Sequence, residues 1–452
     1  MNTAASPECG AAPAGAAAPV AVIGAGWAGL TAALAVARAG LPVHLIEAAT
    51  TPGGRARSLT LDDVPLDNGQ HILVGACHAT LAQMRSVGAA PEHFLQALPF
   101  GLRLFAPGQP LPALALEPRA PHLPGLALSL WRALPGQPLG SRFRAVLGAG
   151  RMLRHPPRND VSVQEWLEHH RQPPALVHAL WEPLCLAIMN TPLRQASACI
   201  FQHVLAEALN RGADTARLLI PTRPLGALFP EPAIAELRAR GGAVELGRRI
   251  TRIEPSEGAG YRLHDRRGAL SNARAVILAT APSATARLLP DTPELRATRQ
   301  AVHQMGARSI CTVYLRYARA LSLPPLQGLL DQHGQWLIPR ALAGAPHWLA
   351  VVISAADDQP ARTPDTRWRE VALALQATFP GLGPPLHGHA ICERRATLDA
   401  RVGIDRIRPS STTAWSGLYL AGDYLTPGLP STLEAAVRSG LESAHKLLEN
   451  LP

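Results

Sequence analysis

Lysine is almost absent. The chain holds one, Lys446, although lysine and arginine together number 43 against 33 acidic residues, for a formal net charge of +10. The basic side is therefore nearly all arginine, and no lysine is placed to form a Schiff base. Aromatic residues make up only 4% of the sequence. So few stacking groups, with no nucleic-acid module in view, argue against a nucleic-acid partner despite the charge. The six cysteines (Cys9, Cys77, Cys185, Cys199, Cys311 and Cys392) include no C-x-x-C pair. That spacing suits a reducing cytoplasm and provides neither a disulfide framework nor a zinc site, so no metal is assigned. Residues 1–19 are rich in Ala, Pro and Gly but lack a basic start and a continuous apolar run, which reads as a disordered leader rather than a secretory signal. At 452 residues the chain can bury one large or two medium cores.

What is present begins at residues 20–57, VAVIGAGWAGLTAALAVARAGLPVHLIEAATTPGGRAR. Val20 to Ile23 is a short apolar run with the character of a buried parallel strand. Gly24, Gly26 and Gly29 follow at G-x-G-x-x-G spacing, Ala28 to Ala39 predicts a helix, and Leu41 to Ile46 a second strand ending at Glu47. In such a βαβ unit the first glycine permits a tight turn, the second lets backbone approach a pyrophosphate, and the third lets helix pack on strand. The helix N-terminus favours the phosphates, and Glu47, 18 residues past Gly29, is placed to accept ribose hydroxyls. Val20 to Ala37 is also 18 residues without a charge, long enough to suggest a membrane span; the glycines and the following strand argue against that.

Gly53-Gly54-Arg55-Ala56-Arg57-Ser58 begins six residues after Glu47. Here the chain resembles the flavin-containing amine oxidase and phytoene desaturase superfamily, in which E-x-x-x-x-x-G-G-R-x-x-S marks FAD. Gly54 would let the main chain pass the cofactor, and Arg55 would offer a fork of donors to a phosphate or to the flavin edge. Asp67-Asn68-Gly69-Gln70-His71 resembles one branch of that superfamily, the hydroxysqualene dehydroxylases, also described as squalene-associated FAD-dependent desaturases. By that resemblance Gly69 and Gln70 run past the flavin. His71 is either a proton donor, since imidazole titrates near neutrality, or a loop-holding residue; Asp67 is expected to form a turn.

The dinucleotide pattern stops from about 76 to 225. Between Glu117 and Asp160 there is no acidic residue but seven arginines: Arg119, Arg132, Arg142, Arg144, Arg151, Arg154 and Arg158. Two apolar helix-like stretches are interleaved with them. Residues 118–159 thus read as a basic amphipathic surface that could dock on an anionic leaflet, or as a solvated face over an internal groove. A neighbouring squalene-pathway enzyme is a further candidate partner. Helices are expected at Ser162 to His170, Pro174 to Asn190 and Ala196 to Leu209, a lobe suited to covering a greasy substrate. Trp181, Met189 and Phe201 are candidates for a tunnel wall or for plain core.

From 226 the first fold returns. A helix is expected at Leu228 to Arg240, with strands at Ala243 to Leu246, Arg249 to Glu254, Tyr261 to His264 and Ala275 to Thr280. The resemblance puts the backbone of Ile250 against the adenine, with Ala279 and Pro282 approaching the cofactor. Strands at Ser309 to Tyr317, Gln335 to Arg340 and His347 to Ser354, with a helix at Thr366 to Thr378, suggest a mixed sheet roofing a pocket. Glu393-Arg394-Arg395-Ala396-Thr397 also resembles the dehydroxylase branch; Glu393 and Arg395 could be polar groups in an apolar cavity or, by slight preference, a solvated ion pair. The end of the chain, Leu418 to Asp423 and then Pro430 to Gly440, resembles the superfamily's C-terminal FAD motif. Gly422 and Asp423 would bind ribityl hydroxyls or the pyrophosphate. The helix beginning near Ser431, with Leu433 at its start, would point its positive end at the flavin.

The expected fold is α/β: a Rossmann-like FAD-binding domain built from 20–75, 226–286 and 406–452, with an α+β substrate domain inserted at 76–225 and 287–405. The resemblance implies FAD-dependent removal of the hydroxyl of hydroxysqualene, an apolar C30 isoprenoid, to give squalene for hopanoid synthesis. His71, or Glu393, would supply the polar chemistry, in a cytoplasmic enzyme able to sit on the inner face of the cytoplasmic membrane. No second G-x-G-x-x-G follows a strand, so the electron donor is expected to be external. Three alternatives come from the same superfamily: a carotenoid-type desaturase, a flavin amine oxidase, or a prenyl-chaperoning protein without FAD. The amine oxidase is disfavoured by the missing lysine and by Thr432 and Leu433 where an aromatic is usual. The chaperone is disfavoured by the intact Glu47, Gly53, Gly54 and Asp423.

Overall fold

The computed structural model describes residues 18–118, 123–134, 136–256, 260–330 and 335–451. Nearly all of the expected leader, with Cys9, and also Arg119 lie outside them.

Four fully buried apolar residues, Val20–Ile23, form the centre of a five-stranded sheet. Its order is Ala243–Glu245, Val43–Ile46, Val20–Ile23, Ala275–Leu278 and Leu418–Leu420, and every neighbouring pair is parallel. Parallel strands buried on both faces read as continuous apolar runs, which is why VAVI, VHLI and AVIL were legible. The Trp27–Arg38 helix packs on one face together with the C-terminal Leu433–Asn450 helix. Their approach is close at Gly440, where an added Cβ would stand 2.3 Å from the Ala28 carbonyl oxygen.

A three-stranded antiparallel sheet, Arg252–Pro255, Tyr261–Asp265 and Gly268–Ala273, interrupts this layer. Its third strand escaped the sequence pattern because GALSNA has neither alternation nor β-branched residues. A seven-stranded sheet stands beside the first layer. It runs in the order His387–Leu398, Ala307–Arg316, Trp348–Ser354, Trp336–Pro339, Gln327–Leu329, Leu102–Phe105 and Pro112–Leu116. It is mixed, as expected, because Gln327–Leu329 pairs in parallel with Leu102–Phe105 while the other pairs are antiparallel.

Helices Leu123–Arg132, Leu139–Arg154, Val163–His169, Glu182–Met189 and Ala198–Leu209 form the lobe between 118 and 210. Ser162 starts its helix with a full capping box: its hydroxyl accepts from the Glu165 N–H at 3.1 Å while the Glu165 carboxylate accepts from the Ser162 N–H at 2.9 Å. Such a cap contributes about 1 kcal/mol. The expected single helix from Pro174 to Asn190 is instead divided by a π-turn at Val177–Trp181. Met189 and Phe201 belong to the core.

Two of the cysteines depart from the expected absence of disulfides. Cys311 and Cys392 are 81 residues apart in sequence but face each other across adjacent antiparallel strands, and they form a disulfide. Strand pairing, which cysteine spacing does not encode, brings them together. A peptide map made without reductant is expected to recover these two cysteines as one cross-linked peptide. Cys77, Cys185 and Cys199, which are free, should be alkylated after unfolding without reductant.

Candidate active site

The glycine motif builds a loop with no room for side chains. Gly24 adopts φ +111°, and a Cβ there would lie 2.3 Å from the Ala279 carbonyl oxygen. A Cβ at Gly29 would lie 1.9 Å from the Gly24 carbonyl oxygen. The Gly53-Gly54 loop docks against this one: the Gly53 N–H donates to the Ala25 carbonyl at 2.8 Å, and a Cβ at Gly54 would meet the Gly26 Cα at 3.2 Å. Gly26 begins the Trp27–Arg38 helix with no side-chain cap and no acid in the first turn. The free N–H groups of that turn therefore keep the partial positive charge of a helix N-terminus, which suits a pyrophosphate. Glu47 sits beside this turn, accepting from the Ala25 N–H at 2.6 Å and the Ala49 N–H at 2.7 Å. The Arg248 N–H donates to the Glu47 carbonyl, which sets Ile250, buried two residues further on, near the same edge of the sheet. These features fit an FAD.

The Arg55 guanidinium reaches across the fold to Asp423, 2.5 Å away, and to the Ala396 carbonyl at 2.8 Å. Burial opposes ionisation of Asp423, but Arg55 and hydrogen bonding from Ser431 outweigh it and hold the carboxyl below its ordinary value. Gly422, next to it, donates its N–H to the Ser439 hydroxyl at 2.9 Å.

A cavity of about 380 Å³ opens beside this pair. Arg55, Asn68, Gly69, Gln70, His71, Glu393 and Leu433 line it, so the structure gathers one part of the expected site there. Gly24, Gly26, Gly29, Glu47 and Ile250 are not in its wall. The remainder of the lining is mostly aliphatic, including Leu102, Leu184, Ile188, Leu205, Ile310 and Val352. His71 is drawn into this environment and its pKa falls to about 4, first because burial disfavours the imidazolium and further because Arg55 is near. Its Nδ1 stands 3.4 Å from the Gly69 carbonyl. At neutral pH the ring is thus uncharged.

Two polar expectations change. Asp67 is no turn-former: it ends the Val64–Asp67 strand, accepts from the Leu225 N–H at 2.7 Å and pairs with buried Arg340 at 3.2 Å. Glu393 and Arg395 do not form an ion pair. Among the described residues Glu393 accepts only the Arg395 backbone N–H, at 3.3 Å, and the Arg395 guanidinium goes to the Ser283 hydroxyl at 2.7 Å. The Gln70 amide is taken up by the scaffold, donating to the Tyr314 hydroxyl and accepting from Arg340, each at 2.6 Å.

Sequence reasoning missed Tyr314, Arg340 and Asn190. Tyr314 also donates to the Asp67 carbonyl at 2.7 Å. Asn190 ends its helix at φ +49°, donates to the Thr397 hydroxyl and accepts from the Ala355 N–H. An asparagine followed by Thr-Pro at a helix end was the available signal for it; nothing local marked the other two.

A family model for flavin-containing amine oxidoreductases matches residues 27–448. The chain belongs to that family and is an FAD-dependent oxidoreductase. It is similar to the hydroxysqualene dehydroxylase of Rhodopseudomonas palustris, at 31% identity over 94% of this chain and 97% of the other. The hydroxysqualene dehydroxylase of Sinorhizobium fredii is 30% identical over 94% and 96%. Among solved structures, putrescine oxidase has the same fold, with a TM-score of 0.70 at 17% identity over 96% of this chain and 99% of that one.

Replacing Asp423 by Asn leaves the Arg55 guanidinium without its carboxylate. At neutral pH this is expected to cost about 1–3 kcal/mol, less than for a fully buried pair because Arg55 is one-third exposed, and to weaken FAD retention on gel filtration. Because the Asp423 pKa is depressed on folding, its contribution is complete above about pH 3.9 and is lost as pH falls through the lower folded value. The Asn variant should lack that acid dependence in thermal melts.

Proposed function

We propose that the chain is a hydroxysqualene dehydroxylase, converting an allylic C30 alcohol to squalene and water in the bacterial route to hopanoids. The observation that carries this is the cavity: an aliphatic chamber whose titratable groups are confined to Arg55, His71, Cys77 and Glu393. Its volume lies at the low end for small-molecule sites, enough for a section of a long isoprenoid. Similarity to named dehydroxylases along nearly the whole chain supports the same substrate class.

Segments 20–75, 226–286 and 406–452 would form the FAD-binding unit, around substrate segments 76–225 and 287–405. Gly24, Gly26, Gly29 and Gly54 would take the pyrophosphate, Glu47 the adenosine ribose, and the Ile250 backbone the adenine. Arg55, Gly69, Gln70, Gly422, Asp423 and Leu433 would hold the flavin end. Bound reduced FAD supplies a hydride equivalent. The chain must deliver a proton to the hydroxyl so that it leaves as water, and must keep solvent from the allylic cation that results. The aliphatic wall does the second. His71 and Glu393, both near Arg55, are placed for the first.

Anaerobic enzyme reduced with dithionite and mixed with hydroxysqualene should reoxidise in step with squalene formation. Reduced enzyme that stays reduced, with oxidised enzyme bleaching on a polyene, would instead mark a desaturase. If His71 is the donor, only its protonated form acts. The single-turnover rate should then rise about tenfold per unit as pH falls from neutrality toward 4. His71→Gln should abolish that slope and lower the rate by about 10²–10⁴.

Residues 118–159 are proposed to dock on an anionic membrane surface. On the Leu139–Arg154 helix one face packs inward through Ala145, Ala149 and Met152, while Leu139 and Phe143 stand 69% and 61% exposed and continue through Leu147 at four-residue spacing. Arg132, Arg142, Arg144, Arg151 and Arg154 have no ion-pair partner among the described residues. Beneath lies a second apolar cavity of about 320 Å³, which Leu147 and Trp181 help line and which shares Phe100, Leu184, Leu205 and Leu209 with the first. A chain leaving the bilayer would meet apolar lining on both sides of that shared wall. No helix among the described residues is long and apolar enough to cross a membrane. The protein is expected to co-float with phosphatidylglycerol vesicles but not with phosphatidylcholine ones. Salt should weaken that binding, and Leu139→Glu with Phe143→Glu should abolish it.

A further inference from the structure

Away from the cavity, the Ser58–Leu61 and Val64–Asp67 strands form a hairpin with a two-residue turn, Asp62-Asp63. Both turn residues have positive φ, +47° and +60°, a conformation that favours Asn-Gly over Asp-Asp. The Asp62 carboxylate meets the edge strand His387–Leu398. His387 and His389, two apart, share one face of that strand. The Nε2 of His387 lies 3.1 Å from one Asp62 oxygen, and the Nε2 of His389 lies 3.4 Å from the other. All three ligand atoms lie within 4.8 Å of one another. The Nε2 of His389 is buried and has no hydrogen bond of acceptable geometry. Trp348 contacts both imidazoles, edge-on to His387 and stacked on His389, and limits their rotation.

We propose that Asp62, His387 and His389 form a binding site for a divalent ion of the zinc class. Zinc bonds to imidazole nitrogen and carboxylate oxygen run about 2.0–2.1 Å, so adjacent ligands on a tetrahedron stand about 3.4 Å apart. The two nitrogens face different oxygens of the Asp62 carboxylate, at 3.1 and 3.4 Å, so a small turn of the carboxylate would set one oxygen near that spacing from both. Two imidazoles and one carboxylate suit zinc and its neighbours rather than calcium or magnesium. The site is open toward solvent at Asp62, which leaves the fourth position to water. The bound ion would be a clamp. The hairpin runs on into Asn68–His71, and the histidine strand carries Glu393, Ala396 and Thr397, so one ion would tie together two walls of the cavity.

The test is a zinc titration of EDTA-treated holoenzyme by calorimetry, with cobalt(II) absorption as a second probe. Saturable binding at one ion per chain, visible-band intensity typical of a four-coordinate cobalt site, and a rise in melting temperature with zinc are expected. Asp62→Asn and His389→Gln should each lower affinity at least tenfold, whereas His178→Ala with His445→Ala, two exposed histidines elsewhere, should not. FAD content of each variant reports folding independently. Absence of binding at 1:1 stoichiometry, or binding that survives both site variants while they keep their FAD, would overturn the proposal.

Discussion

Arg55 and Asp423 are 368 residues apart in sequence and 2.5 Å apart in space. Their pairing joins the glycine-rich start of the chain to its last strand and helix, and the cavity lies against it. A buried carboxylate is costly unless a partner satisfies it, and the half-buried Arg55 guanidinium does so for Asp423. Here Arg55 also takes the Ala396 carbonyl, and Ser431 assists Asp423. Everything inserted between residues 57 and 418 must return the chain to this closure, and the parallel sheet achieves that by seating Leu418–Leu420 beside Ala275–Leu278.

A second buried network supports the first. Asp67, Arg340, Gln70 and Tyr314 bond to one another where the Ser58–Asp67 hairpin meets the seven-stranded sheet. They hold the Asn68–His71 segment from behind, so its backbone and His71 form cavity wall. The same setting withholds charge from His71. Aliphatic surroundings suit an apolar chain and stabilise a neutral imidazole, so substrate preference and acid strength at this wall arise from one cause, exclusion of water.

Much of the fold was legible because it depends on local rules. The glycines at 24, 26 and 29 can be assigned from spacing because their motif sits between a strand and a helix; Gly29 relieves a contact with the Gly24 carbonyl inside that unit, whereas Gly24 makes room for the Ala279 carbonyl from a remote segment. Three strands of the roof sheet, Ala307–Arg316, Trp336–Pro339 and Trp348–Ser354, were legible as apolar runs. The pairings of polar side chains were not. Glu393 and Arg395 are two residues apart and looked like partners, yet along an extended strand the arginine finds Ser283 instead. Asp67 beside Asn-Gly looked like a turn, but its partner Arg340 is 273 residues away. Cys311 and Cys392 became partners only through strand register.

The sequence by itself determined the dinucleotide-binding start, the closing Gly-Asp motif, the family, and the acid-free arginine stretch between Glu117 and Asp160. Each of these is written in contiguous residues, and for the glycines at 24, 26 and 29 the spacing has a single physical use. Tertiary structure alone decided which polar groups face the cavity, that Gln70 is bound into the scaffold while His71 is held neutral, and that Asp62 meets two histidines more than 300 residues away. Those outcomes depend on burial and on distances between segments remote in sequence, and both quantities come into being only when the sheets pack.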